Sequence, residues 1–149
     1  MNTADFNPVE ILIVEDNPQD AELTIRALKK TNLVNHFMVA EDGEEALDII
    51  FSRGIYEFRQ DLKPPRVIFL DLKLPKVSGL EILKEIKTNP ATKTIPVVIV
   101  SSSSEDPDIK AAYENGANAY VVKPVEFEAF SNSMIRTGIF WLNINETPR

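Results

Sequence analysis

The stretch ILIVEDNP, residues 11–18, decides the fold of this chain. Its four leading apolar residues are typical of a strand buried on both faces, and Glu15 and Asp16 follow where that strand ends. A second apolar run, VIFL at residues 67–70, is followed in the same way by Asp71. If the two strands are parallel neighbours, their carboxyl ends meet at one edge of a sheet, and the three carboxylates converge on one small pocket.

Five apolar runs alternate with helical patterns, and the alternation predicts an α/β fold. The runs cover residues 9–14, 36–40, 67–70, 95–100 and 119–122, and the second is the weakest and is expected at an edge. Such alternation favours a parallel sheet with right-handed crossovers and helices on both faces. For five strands we expect the doubly wound order 2-1-3-4-5, which places a ligand site between the carboxyl ends of the first and third strands. Those are the two strands that end in acids.

The helices carry recognisable boundary signals. Asn17, Asp42 and Ser78 are predicted N-caps, because their short polar side chains can accept hydrogen bonds from the first free backbone N–H groups of a helix. In the fourth helix we expect Tyr113 to face inward, and in the fifth helix we expect the same of Phe127.

The composition excludes several classes of protein. A length of 149 residues suits one domain with one core, so we expect a single domain over residues 1–149. A net charge of −7 argues against nucleic-acid binding. No apolar run approaches the ~18 residues of a membrane span, and neither a signal-peptide pattern nor a cysteine is present. We therefore expect a cytoplasmic protein that binds neither nucleic acid nor membrane.

Asp71 is the predicted nucleophile. A carboxylate can attack phosphorus and form an acyl phosphate. An aspartate that ends a strand before a turn is also common for purely structural reasons, so the neighbouring residues must decide. Glu15 and Asp16 are expected to bind Mg²⁺, which prefers oxygen ligands. Helix initiation would explain one of these acids but not an adjacent pair.

Two residues at the ends of later strands extend the predicted site. Ser101 ends the fourth strand at the same edge and would bring a hydroxyl within reach of a phosphoryl oxygen, although the run of four serines could also be a polar loop. Lys123 ends the fifth strand and can pair with Asp71 at rest and with a phosphoryl group after transfer. Most lysines are solvated surface groups, so Lys123 gains weight only from its place after four apolar residues.

Together these motifs resemble the receiver domain of response regulators in two-component signalling. The resemblance spans nearly the whole chain and rests on four motifs in the expected order: IVED at residues 13–16, FLDLKLP at 69–75 with Gly79, VSS at 100–102 and YVVKP at 120–124. It implies a flavodoxin-like receiver fold and a phosphoryl group accepted on Asp71 from a histidine of a partner sensor kinase. It implies a regulator rather than a conventional enzyme, one that catalyses its own phosphotransfer and slow autodephosphorylation.

The resemblance also implies the metal ligands of the site. Glu15, Asp16, Asp71 and the backbone carbonyl of Lys73 would bind Mg²⁺.

A switch is implied as well, in which Ser101 and Tyr120 form the moving pair and the Lys123–Pro124 peptide bond is cis. A phosphoryl group on Asp71 adds negative charge and strong acceptors. Ser101 can then donate a hydrogen bond to it, which would draw the loop after the fourth strand inward and leave room for Tyr120 to turn in. The surface formed by the fourth helix, the fifth strand and the fifth helix would change.

Three other functions share part of this pattern. A pseudo-receiver, a constitutive protein-interaction module that never takes phosphate, would be expected to lack an acid or the lysine; it remains the alternative although all are present. A haloacid-dehalogenase-type phosphatase needs a second acid two residues after its aspartate, where this chain has Lys73. A dinucleotide-binding enzyme needs a glycine-rich turn after the first strand, and residues 15–18 contain no glycine.

Two segments extend beyond a minimal receiver. Residues 54–65 form a long connection that is either a binding loop or a helix extension packing its own aromatic residues. At residues 138–149, Gly138 is expected to end the fifth helix and leave an apolar arm, which suggests a homodimer contact; packing against its own domain is the alternative. Little chain follows the fifth helix, so we expect a single-domain regulator without an output domain.

The phosphodonor is expected to be another protein, since His36 is the only histidine. The long connection, the run DGEEAL at residues 42–47 and FWL at 140–142 resemble the small response regulators paired with bacterial and cyanobacterial phytochromes. That resemblance implies a light-regulated phytochrome kinase as the partner.

Overall fold

A computed structural model describes residues 9–34 and 36–146 of the chain. Five parallel strands form one sheet in the order β2-β1-β3-β4-β5, which confirms the predicted topology. The strands are β1 (Ile11–Val14), β2 (Phe37–Ala40), β3 (Val67–Leu70), β4 (Val97–Ser101) and β5 (Ala119–Val122). The helices are α1 (Pro18–Lys29), α2 (Gly43–Ile50), α3 (Gly79–Thr88), α4 (Asp106–Glu114) and α5 (Phe127–Ile139).

Side chains of each strand alternate between two apolar cores, as the pleat of a strand requires. Leu12 and Val14 of β1 pack in one core with the inner faces of α2, α3 and α4, whereas Ile11 and Ile13 pack in the other with α1 and α5. All four β1 residues are buried. The sheet is therefore covered on both sides, and only its two edges are left for polar chemistry.

The predicted N-caps are present. Asn17 accepts hydrogen bonds from the backbone N–H groups of Gln19 and Asp20, and Ser78 accepts one from Glu81. The Asp42 side chain accepts from the Glu45 N–H at 2.8 Å.

Two predicted core residues lie at the surface instead. Tyr113 is 51% exposed and Phe127 is 58% exposed. The fourth helix buries only Ala112, so its inward stripe is too narrow to include the adjacent Tyr113. Phe127 is the first residue of α5, and the buried stripe of that helix begins one turn later at Phe130.

The fifth helix does not end at Gly138 as expected. It continues through this buried residue to Ile139, and a π-helix, Phe140–Ile144, follows. A Cβ atom at position 138 would lie 2.5 Å from Cδ2 of Leu28, so the glycine allows α5 to approach α1 closely. Leu142 is buried, and the Arg66 guanidinium donates a hydrogen bond to its carbonyl oxygen.

Within residues 138–146, Gly138 and Leu142 are buried against the chain's own domain, whereas Phe140 and Ile144 are exposed. The apolar arm and its dimer contact stay predictions. Residues 147–149 of the predicted arm lie outside the described part of the chain. The long connection contains a 3₁₀-helix, Gly54–Arg59, and Tyr56 within it packs against the core on the α2 side. A helix extension that packs its own aromatic residue was one of the two predicted forms.

Candidate functional site

The three acids of the opening stretches converge at the carboxyl edge of the sheet. Val14 of β1 and Leu70 of β3 are partners in register, so the residues that follow them emerge side by side. The backbone N–H of Asp71 donates to the carbonyl oxygen of Val14 at 3.1 Å. One carboxylate oxygen from each of Glu15, Asp16 and Asp71 lies within 4.8 Å of the other two. The convergence predicted from the sequence is therefore present.

The Lys123 ammonium lies at the centre of the site. Its Nζ atom is 3.1 Å from Oδ2 of Asp71, which confirms that pairing, and it also contacts Oε1 of Glu15. A third carboxylate, that of Asp20, contributes Oδ2 at 3.1 Å. Each of the three N–H donors of the lysine can therefore meet one carboxylate.

Asp20 is a site residue that sequence reasoning missed. Its position in the first turn of α1 suggested only a favourable charge near the helix N-terminus. A signal was nevertheless present, because the first turn of α1 follows directly after the acid pair at the end of β1, so a carboxylate in that turn stays at the carboxyl edge of the sheet.

Burial and charge shape the ionisation of the site. Burial raises the pKa of Glu15 to about 7 against the opposing effect of its hydrogen bond and charge pairing with Lys123. For Lys123 burial alone would lower the pKa, but the carboxylates of Glu15 and Asp71 outweigh it and the net shift is upward. The lysine is therefore held as a cation in a pocket where its own side chain is only 10% exposed.

The loop after β3 is held tightly around Asp71. The Lys73 N–H donates to Oδ1 of Asp71 at 3.3 Å, and the Gly79 N–H donates to the Leu72 carbonyl oxygen at 2.9 Å. A Cβ atom at position 79 would lie 2.2 Å from the Asp71 carbonyl oxygen, so only glycine lets α3 begin so close to the acid. The predicted role of the Lys73 carbonyl as a metal ligand stays a prediction.

Ser103 links the two residues of the predicted switch. The Ser101 hydroxyl, 1% exposed, accepts a hydrogen bond from the Ser103 N–H at 3.2 Å. Tyr120 donates from its hydroxyl to the Ser103 carbonyl oxygen at 2.8 Å. Tyr120 is half-buried, and this hydrogen bond ties it to the loop after β4 that the predicted switch would move.

The predicted cis peptide bond between Lys123 and Pro124 is wrong. Among the described residues every peptide bond is trans, which is the intrinsically favoured form before proline as elsewhere. Lys123 reaches the acids from this trans backbone, while its own N–H donates to the Ser101 carbonyl oxygen at 2.7 Å.

A cavity of about 240 Å³ lies at the opposite, amino edge of the sheet, where Val9, Arg59 and Thr92 contribute to its lining. None of the acids, hydroxyls or lysine of the site borders it. The candidate site is therefore the cluster of acids around Lys123 at the carboxyl edge, and not this cavity.

Comparison with known proteins identifies the family. Residues 11–134 match the response regulator receiver domain. The chain belongs to that family. Its fold is the flavodoxin-like receiver fold, and its relatives include small response regulators that are associated with phytochromes.

Two curated relatives match this chain over most of their own length. The probable methanogenesis regulatory protein FilR2 of Methanothrix harundinacea is 36% identical over 95% of this chain and 89% of its own. Response regulator Rcp1 of Synechocystis is 35% identical over 95% of this chain and 94% of its own.

Solved structures of response regulators, among them two phytochrome response regulators, are similar to this chain over nearly its whole length. The Mn²⁺-bound form of Rcp1 has a TM-score of 0.88 at 34% identity over 95% of this chain and 100% of its own. The phosphorylated cyanobacterial regulator RcpA also has a TM-score of 0.88, at 33% identity over 95% and 99%. The bacteriophytochrome response regulator AtBRR is 44% identical, with a TM-score of 0.75 over 96% of this chain and 98% of its own.

The donor set suits a divalent cation. Receiver domains bind such ions, and the site offers only carboxylate oxygens, the ligands that hard cations prefer. One oxygen from each of the three carboxylates lies within 4.8 Å of the others, which suits a shared ion. Glu15, Asp16 and Asp71 would hold it, and the first and last of these also contact Lys123.

Along the described ranges 9–34 and 36–146, none of the helices is both long and apolar enough to cross a membrane.

Proposed function

We propose that this receiver domain accepts a phosphoryl group on Asp71 from a histidine of a sensor kinase. The observation that carries the proposal is the placement of Lys123 within 3.1 Å of Asp71, in a cluster whose other acids can hold a divalent cation. The ammonium beside this carboxylate is placed to meet the negative charge that an incoming phosphoryl group brings. In this proposal the chain is a regulator rather than a conventional enzyme, and it catalyses the transfer of the phosphoryl group to itself.

The reaction is a transfer between nitrogen and oxygen. A carboxylate oxygen of Asp71 forms a bond to phosphorus while the phosphorus–nitrogen bond of the kinase phosphohistidine breaks, and the imidazole leaves with a proton taken from solvent. Lys123 donates to an equatorial phosphoryl oxygen, and the Ser101 hydroxyl donates to another. Mg²⁺, when bound, neutralises charge on the phosphoryl oxygens. Later attack by water on phosphorus returns the carboxylate and inorganic phosphate.

Radiolabelled phosphotransfer tests the acceptor. We expect a cognate kinase to label the wild-type chain and not Asp71→Asn, because an amide nitrogen is too poor a nucleophile to replace the carboxylate. Asp61→Asn is the matched control, since Asp61 is an exposed loop residue outside the site and should be labelled normally. Equal labelling of Asp71→Asn and Asp61→Asn would overturn the assignment.

The output of phosphorylation is proposed to be a change in the surface of α4, β5 and α5. If Ser101 turns to donate to a phosphoryl oxygen, the Ser103 N–H that donates to its hydroxyl would move with it, and Ser103 is bonded to Tyr120 of β5. Ser103 also donates from its hydroxyl to Asp108 of α4 at 2.5 Å, so the movement reaches that helix. Unchanged amide NMR shifts of α4 after addition of beryllofluoride and Mg²⁺ would contradict this switch.

The alternative is a constitutive interaction module, in which the hydrogen bond from Tyr120 to the Ser103 carbonyl oxygen would be a fixed part of the surface. The same NMR experiment separates the two functions. A constitutive module predicts no response of Tyr120 or α4 to beryllofluoride, and a switch predicts movement of both.

The kinase partner is proposed to be a phytochrome. Support comes from the names of the phytochrome response regulator RcpA and the bacteriophytochrome response regulator AtBRR, whereas FilR2 is named as a regulator of methanogenesis and points elsewhere. Phosphotransfer rates from a phytochrome kinase and from unrelated histidine kinases would test the pairing. Preference for the unrelated kinases would contradict it.

We also propose a homodimer through the π-helix. Phe140 is 42% exposed and Ile144 is 61% exposed, while Leu142 between them is buried in the chain's own core. Deleting the segment would therefore damage the domain, and Phe140→Ser with Ile144→Ser is the better test. We expect light scattering to give the mass of a dimer for wild type and of a monomer for this variant. Equal masses would contradict the interface.

The cytoplasmic location expected from the sequence stays a prediction.

A further inference from the structure

The three carboxylates around Lys123 are not equivalent. Glu15 and Asp71 follow strands and are nearly enclosed, with side chains 7% and 12% exposed. Asp20 comes from the first turn of α1, and its side chain is 30% exposed. All three are within hydrogen-bond distance of the same ammonium nitrogen, so the ammonium lies between a strand-end pair and one helical carboxylate.

Only one of the three carboxylates lies outside the proposed chemistry. Glu15 and Asp71 are both candidate metal ligands, and the ammonium contacts both of them. Transfer of a phosphoryl group would then convert the Asp71 carboxylate into an acyl phosphate, which moves its charge outward. Asp20 lies outside the metal cluster and is not the acceptor, so its oxygen stays available throughout.

We infer that Asp20 is a positioning residue for phosphotransfer: it holds the Lys123 ammonium beside Asp71 while metal and phosphate replace its other partners. The inference rests on the proposed function of Asp71. A charged anchor 3.1 Å from Nζ keeps the ammonium at the site when Glu15 is drawn to the metal. The same contact lets the lysine turn toward a phosphoryl oxygen while it stays paired with Asp20.

The inference gives a sign for the loss of Asp20. In Asp20→Asn the ammonium loses the one charged partner that is not a candidate metal ligand. Its ion pairs with Glu15 and Asp71 should therefore become stronger. A metal ion then competes against a tighter lysine–carboxylate pair. We expect the Mg²⁺ dissociation constant of the unphosphorylated chain to rise about threefold to tenfold, and the dissociation constant for beryllofluoride to rise with it.

Two variants control for charge and fold. Glu22→Gln removes a carboxylate from the same helix, but that side chain is 61% exposed and pairs with Arg26. Screening at such a site should leave the Mg²⁺ dissociation constant within about twofold of wild type. Asp20→Glu keeps the charge and should recover most of the affinity. Thermal melts of all variants would report any change in folding separately from binding.

A double-mutant cycle shows whether Asp20 acts through the lysine. Mg²⁺ would be titrated into wild type, Asp20→Asn, Lys123→Met and the double variant, with the metal alone as the probe and calorimetry as the readout. If Asp20 works by holding Lys123, its removal should cost little further affinity once Lys123 is absent.

Three results are decisive for this inference. An undiminished loss in the Lys123→Met background would show direct attraction between Asp20 and the metal, and would overturn it. So would wild-type affinity in Asp20→Asn, or an equal loss in Glu22→Gln. Failure of the proposed function looks different, because labelling of Asp71→Asn by the kinase would persist whatever these titrations give.

Discussion

Two half-buried lysines at opposite edges of the sheet show how the edge that carries the candidate site differs from the edge that only holds the fold together. Lys123 at the carboxyl edge and Lys87 at the amino edge each make three hydrogen bonds from Nζ. All partners of Lys123 are carboxylates. Those of Lys87 are two backbone carbonyl oxygens and the side-chain oxygen of Asn118, at 2.8–3.1 Å.

The ionisation of the two lysines differs accordingly. Burial lowers the pKa of Lys87, since its neutral partners bring no compensating charge. Burial opposes the charge of Lys123 as well, but its carboxylates raise the pKa. A carboxylate can bind a metal and can be converted into an acyl phosphate, whereas the backbone carbonyls and the amide that hold Lys87 cannot accept a phosphoryl group. The same residue type therefore forms an exchangeable contact at one edge and a fixed tie at the other.

The largest effect expected from this comparison is at Lys123. Lys123→Met removes the cation that faces the acceptor, so the rate of phosphorylation by a small phosphodonor such as acetyl phosphate should fall on the order of a hundredfold. Mg²⁺ should bind more tightly than to wild type, because no ammonium competes for Glu15 and Asp71. Mass spectrometry of the intact chain and metal titration measure the two quantities.

Lys87→Met is the matched variant for that experiment. It should leave the phosphorylation rate and Mg²⁺ affinity at wild-type values, because Lys87 lies at the other edge. A comparable loss of phosphorylation in Lys87→Met would break the distinction between the edges.

The next effect is on stability, and it belongs to Lys87. Its ammonium joins the end of α3 to the backbone before β4 and to Asn118 before β5. Replacing it with methionine removes three hydrogen bonds, of which the one to Ile95 is part-buried, so the free energy of unfolding should fall by about 1–2 kcal/mol. Urea unfolding followed by circular dichroism measures this, and an unchanged midpoint would contradict a structural role.

The smallest effect sharpens the comparison within the carboxyl edge. Asp42 follows β2 at this edge, but its partner is the fixed backbone N–H of Glu45, and that hydrogen bond lowers its pKa. Asp42→Ala should cost about 1 kcal/mol of stability at neutral pH, with no change in Mg²⁺ affinity.

The pH dependence of that cost has a definite sign. A carboxyl whose pKa is lower in the folded state stabilises the fold above its unfolded value, 3.8 for Asp42, and loses that contribution as the pH falls through the folded value. The stabilities of wild type and Asp42→Ala should therefore converge in acid. A difference that stays constant from pH 7 to pH 2 would contradict the charged cap.

Much of the fold followed from local sequence signals. The apolar runs were long enough to identify all five strands, and the order of the sheet followed from the alternation of strands and helices. The acids of the site were predictable because residues that follow parallel strands must emerge at one edge, whatever the details of packing. Lys123 and Ser101 follow the same rule, as each stands at the end of its strand.

The remainder depended on contacts between distant elements. Asp20 reaches Lys123 across 103 positions of sequence, and no local pattern gives that pairing. Gly138 is a helix breaker by propensity, yet close packing against Leu28 makes it suitable inside α5. Tyr113 matched a helical period, but the stripe that α4 buries is narrower than the pattern suggested.

The most direct test of the account follows both lysine ammonium groups at once by NMR in a chain labelled with ¹⁵N-lysine. Addition of Mg²⁺ and beryllofluoride, which stands in for the phosphoryl group at Asp71, should shift the Lys123 ammonium signal and leave that of Lys87 in place. In Asp71→Asn neither signal should respond to beryllofluoride. A Lys123 signal that stays fixed in the wild-type chain, or a Lys87 signal that moves as far, would contradict the account.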